Sequence, residues 1–141
     1  MKTGYIVSYT AFEYNDEYYS SFEGACHFEK KVYRVKAEAE ARVLAINVTH
    51  AREVVRNTSE WSYGEGMWQF LDSFSGDLAE LYRRVFRKEP GDGFREELEG
   101  LSDLADGLPD GEDFSDEDYL WFVENSYHCR TAYADEVEIE E

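Results

Sequence analysis

Apolar and polar positions change period several times along the chain, and each change marks an element. Tyr5, Val7 and Tyr9 alternate with Ile6, Ser8, Thr10 and Phe12, which predicts a strand over residues 4–12 that is apolar on both faces. Between Glu13 and Ser21 an Asn15-Asp16 turn signal lies among aromatic residues, as in a hairpin or a long loop. A second extended segment is expected from Phe28 to Val35. It runs into Lys36-Ala37-Glu38-Ala39-Glu40-Ala41, a strongly helix-favouring stretch. Ala37, Ala41, Leu44, Val48, Ala51 and Val55 continue at helical spacing, so one helix reaches to about Asn57, with Asn47 to Thr49 as a point of interruption.

The aromatic-rich stretch from Trp61 to Phe74 leads into a helix expected from Met67, broken around Ser75-Gly76 and resumed through Leu78, Leu81, Tyr82 and Val85 to Lys88, where Pro90-Gly91 stops it. A short amphipathic helix is expected over Phe94, Leu98, Leu101 and Ala105, across Gly100, followed by a loop from Gly107 to Asp113. Ser115 with Asp118 three residues on fits a capping box that opens a helix through Tyr119, Phe122 and Val123. Residues 128–139 have a period of two. Cys129, Thr131, Tyr133, Val137 and Ile139 fall on one side and His128, Arg130, Ala132, Ala134, Glu136 and Glu138 on the other, which predicts a half-buried strand. Strands at both termini with helices between them predict a single α+β domain over residues 1–141, with the last strand paired beside the first in a small antiparallel sheet.

Charge adds what periodicity does not show. The 141 residues carry 32 acids against 14 bases, a formal net charge of −18. Residues 1–90 hold 14 acids and 12 bases, whereas residues 91–141 hold 18 acids and two bases, Arg95 and Arg130. Such a surface argues against phosphate neutralisation of nucleic acid and against attraction to anionic lipid. No apolar stretch approaches the roughly 18 residues of a membrane span. Ser8, Thr10 and Glu13 interrupt the opening before a secretory apolar core can form, so a cytoplasmic location with reduced thiols is expected, and the sequons at Asn47 and Asn57 would go unglycosylated.

The opening Tyr5-Ile6-Val7-Ser8-Tyr9, the loop from Glu13 to Tyr19 and the junction from Lys31 to Ala41 resemble a family of small uncharacterised bacterial proteins that also end in a strand alternating Glu and Val. The resemblance covers the first 47 residues and the last ten. It implies no activity and transfers no site residue.

Cys26-His27 and His128-Cys129 have the donor types of a zinc site, but adjacent strand residues point to opposite faces, so no zinc is expected, and a reducing compartment argues against a Cys26–Cys129 disulfide. Asp106, Asp110, Gly111 and Glu117 match parts of a calcium-loop template that Leu108 and Pro109 break. Gly64-Glu65-Gly66 and Gly91-Asp92-Gly93 read as turns, because neighbouring acids would repel a phosphate. Arg83, Arg84, Arg87 and Lys88 read as helix-terminal cations balancing the acids that follow.

The acidic and apolar interleaving from Phe94 to Phe114 is the feature that points furthest. Phe94, Leu98 and Leu101 turned inward would leave Glu96, Glu97, Glu99 and Asp103 outward, and Asp110, Glu112, Asp113 and Asp116 extend the acidic run. These eight carboxylates are the candidate partner-binding residues; no catalytic, cofactor or metal residue is assigned. The expected function is a non-enzymatic acidic binding protein, a regulator or inhibitor that engages a basic protein surface, of the physical type of immunity proteins, phage-encoded inhibitors or nucleic-acid mimics. The alternatives are a small hydrolase or metal-dependent enzyme whose site is assembled by folding, and a structural module with no discrete site.

Overall fold

The structure is a computed structural model and describes residues 2–10, 13–14, 19–20, 26–58 and 67–139, without the side chains of Thr10, residues 13–28 and Lys30. Its strands are β1 (Lys2–Thr10), β2 (Glu13–Tyr14), β3 (Tyr19–Ser20), β4 (Cys26–Tyr33) and β5 (Ala132–Ile139). Its helices are α1 (Lys36–Arg56), α2 (Met67–Asp72), α3 (Leu78–Phe86), α4 (Phe94–Glu99) and α5 (Asp116–Asn125), with 3₁₀ turns at Leu104–Gly107 and Tyr127–Cys129. The α+β class holds. An antiparallel sheet in the order β4-β1-β5 places the C-terminal strand beside the N-terminal one, and β2 pairs with β3 as a hairpin.

Most element positions follow the periodicity, and the departures have local causes. The helix expected from Phe94 to Ala105 ends at Glu99, because Gly100 is a poor helix former and Asp103 starts a new turn. Asp103 and Asp106 form a reciprocal capping box around a separate 3₁₀ turn, Leu104–Gly107, where the end of that helix is expected. The break at Ser75-Gly76 is real. Ser75 N and Oγ both donate to the carbonyl of Asn125, at 2.8 and 2.9 Å, and a Cβ on Gly76 would lie 2.8 Å from the Asn125 side chain. At the C-terminus, His128 and Cys129 belong to a 3₁₀ turn, so β5 starts at Ala132, four residues after the period of two begins at His128.

The long helix α1 is the spine. Its first half lies on the sheet, where Val7, Tyr33 and Ala39 are buried with Tyr5, Val43, Ile46 and Ala134 around them. Its second half contributes Ala51, Val54 and Val55 to a larger core made with Phe70, Leu71, Leu81, Tyr82, Val85, Leu98, Leu104, Tyr119 and Phe122. Arg42 fastens the sheet end by donating to both Glu29 carboxylate oxygens, at 3.0 and 3.1 Å. That contact is the main reason the Glu29 carboxyl titrates below the usual range.

The face of β5 that meets α1 is the opposite of the one its composition suggests. Ala132 and Ala134 turn toward the helix, whereas Tyr133, Val137 and Ile139 lie on the other face, with Tyr133 48% exposed. Register explains this placement. Val7 sits opposite Ala134, which commits the small residues of β5 to the helix side. On the other face Gly4 is required, since a Cβ there would come within 2.6 Å of Val32 Cγ1.

Candidate interaction surface

Four segments carry the acids singled out in the sequence. In α4, Phe94 packs edge-on against Tyr82 with ring centroids 5.9 Å apart and Leu98 is fully buried, so Glu96, Glu97 and Glu99 are left exposed, as the helical period requires. Asp103 lies in the capping box. Asp110, Glu112 and Asp113 follow along an irregular segment that turns at Gly111, whose φ of +79° favours glycine. Asp116 opens α5.

Geometry separates these eight carboxylates by what they already bind. Glu99 pairs with Arg95 at 2.9 Å, and Arg95 also reaches Asp72, which ties α4 to α2. Asp116 pairs with Arg52 at 3.2 Å, and Asp113 lies 4.0 Å from Arg56 while accepting from the Tyr119 hydroxyl. Glu97 accepts from the Tyr82 hydroxyl, a bond that, together with burial, pushes that phenol up to about 12. Glu96, Asp110 and Glu112 are exposed and make no ion pair among the described residues; Glu117, in the first turn of α5, is a fourth such group.

The residue that sequence reasoning undervalued is Asp118. Its capping role is present: Ser115 N donates to Asp118 Oδ2 at 3.0 Å, and Asp118 N donates to Ser115 Oγ at 3.1 Å. Its carboxylate, 7% exposed, also receives Arg84 at 2.7 Å and Arg87 at 3.3 Å. A buried carboxylate with two guanidinium partners is a structural knot joining α3 to α5, and losing either partner would leave buried charge. The arginine run in α3 is therefore internal charge balance: Arg83 pairs with Glu80 and Glu89, and Arg87 also donates to the Asp113 carbonyl at 3.0 Å. The only sequence signal for this knot was the Arg84-Arg87 spacing near a helix C-terminus.

The calcium-loop match has no counterpart in space, since Asp106 caps a 3₁₀ turn and Glu117 lies in a helix. Among the described residues no group of three or more His, Cys, Asp or Glu is placed to hold a metal ion. The side chains of Cys26 and His27 lie outside the described residues, as do Tyr14, Tyr18, Tyr19 and Trp61 of the aromatic region. Cys129 is a free thiol, and burial pushes its pKa up to about 12, which leaves it unreactive as a nucleophile at neutral pH. No helix among the described residues is long and apolar enough to cross a membrane.

A second surface lies at the sheet margin. β5 is hydrogen-bonded to β1 along one side only, and among the described residues no strand pairs with its other side. Beside that free edge a groove of about 690 Å³ runs between β5 and α1, floored by Ala132 and Ala134 and walled by Val43, Leu44 and Asn47. No protein-family model matches the chain, and comparison with curated proteins and solved structures finds no similar protein.

Proposed function

We propose that this protein acts by binding: it is an acidic regulator or inhibitor that engages a basic surface of a partner protein. One observation carries the reading. In the helical half, Arg52, Arg56, Arg83, Arg84, Arg87 and Arg95 each have a carboxylate partner within the chain, and Arg130 donates to the carbonyls of Val123 and Glu124. These arginines are consumed internally and the exposed Lys88 lies over the Phe86 ring, whereas Glu96, Asp110, Glu112 and Glu117 make no ion pair among the described residues. An outward field of one sign steers a partner of the other sign and disfavours acidic competitors.

The test is a variant carrying Glu96→Gln, Asp110→Asn, Glu112→Gln and Glu117→Gln, paired with a basic protein partner captured by cross-linking in the source cell. Folding stability should change by about 0.5 kcal/mol or less per site, because the four are exposed and make no ion pair among the described residues. Association with the partner should slow in the variant, and wild-type association should slow steeply between low and physiological salt. An acidic partner, or association indifferent to both salt and these substitutions, overturns the reading.

A further inference from the structure

Among the described residues no strand pairs with the outer edge of β5, and this edge and the groove beside it have the parts of a strand-addition site. An unpaired edge offers backbone N–H and C=O groups to an incoming extended chain, and alternate side chains of that chain would face the layer above the sheet. Here that layer is α1, and the β5 residues beneath it are Ala132 and Ala134, small enough to leave the groove open. Further along the same strand come Asp135, Glu136 and Glu138, all exposed.

Charge decides between occupants. In a second copy, full antiparallel overlap of two β5 strands would set Asp135 opposite Glu136 of its mate, and like charges directly opposed destabilise a sheet. Basic side chains on an incoming strand would instead meet these three carboxylates. We propose that β5 and its groove receive an extended basic segment of a partner protein, which adds to the sheet as a further strand. Bulky apolar residues of that segment lie opposite Ala132 and Ala134 and fill the groove against Val43 and Leu44; Lys or Arg lie opposite Asp135, Glu136 and Glu138. This rests on the reading of the protein as a binder of basic partners, and it places the contact at the sheet edge.

The probe is a labelled peptide of about eight residues, roughly one strand in length, with alternate apolar residues in one half and lysines in the other. Binding is followed by fluorescence anisotropy and by amide hydrogen exchange on the full chain. The expected results are slowed exchange within residues 132–139, affinity at least about tenfold weaker for the Asp135→Lys, Glu136→Lys double variant, and a similar loss when alternate peptide nitrogens are methylated. Both substituted residues are exposed, and circular dichroism establishes that the variant is folded. Absence of binding at a Kd of about 1 mM, equal affinity for the methylated peptide, or protection confined to other segments overturns the inference. So does concentration-dependent dimerisation that protects the same amides. If the peptide is lost in the Glu96, Asp110, Glu112 and Glu117 variant but kept in the β5 variant, the edge assignment fails while the acidic-binder reading stands.

Discussion

His50 shows how one part-buried side chain makes stability depend on pH. Its Nε2–H donates to the His128 carbonyl at 2.9 Å, and burial lowers its pKa from 6.5 to about 4. Above about pH 6.5 the ring is neutral in both folded and unfolded chains, so stability is undiminished there. As pH falls from 6.5 toward 4, the unfolded chain takes up a proton that the folded chain refuses, and stability drops, by on the order of 3 kcal/mol once both values are passed. Urea unfolding of wild type and His50→Gln at several pH values should show the two curves diverging across that window, wild type losing more on acidification. Parallel curves would show that His50 is protonated in the fold. Nothing in the local sequence Val48-Thr49-His50-Ala51 signals this placement, because the hydrogen-bond partner of the ring, the His128 carbonyl, lies 78 residues away along the chain.

Among the elements, α1 carries the clearest departure from expectation. Asn47 and Thr49, read as a point of interruption, lie inside an unbroken helix. Thr49 Oγ1 donates back to the Ala45 carbonyl at 3.1 Å, and the buried Asn47 turns its amide to the start of β5. Its Oδ1 accepts from both Thr131 N and Ala132 N at 2.8 Å, and its Nδ2 donates to the Ala132 carbonyl at 3.3 Å. A polar residue that weakens a helix in isolation here supplies three hydrogen bonds that join helix to strand. Asn47→Ala should destabilise the protein by about 3 kcal/mol, since buried backbone groups of the 131–132 segment lose their partners. Amide exchange at residues 131–134 should accelerate more than in the α3–α5 region. A loss below about 0.5 kcal/mol would show that water replaces the amide.

Across the whole molecule the balance is between scattered ion pairs and an excess of like charge. Exposed pairs such as Lys36–Glu40 contribute at most about 1 kcal/mol each, whereas a net charge of −18 repels itself throughout the compact state. Raising ionic strength from about 0.01 to 0.15 M shortens the screening length from about 30 to 8 Å. The melting temperature should therefore rise with sodium chloride, and a fall would mean that the internal arginine pairs outweigh the repulsion. At this scale the division between sequence and structure is plain. Periodicity alone determined the order of most elements, the break at Ser75-Gly76, the Ser115 capping box and the pairing of the terminal strands, because each depends on residues close in sequence or on the chemistry of a single strand. Composition alone determined that negative charge gathers after residue 90. The tertiary structure decided which face of β5 lies under α1, since a period of two defines two faces and only the register with β1 selects one. It also decided which carboxylates are free. Asp116 resembles its neighbour Glu117 in charge and exposure, and differs because Arg52 of α1 comes within reach when the helices pack, whereas Glu99 is paired within α4 by Arg95 four residues earlier.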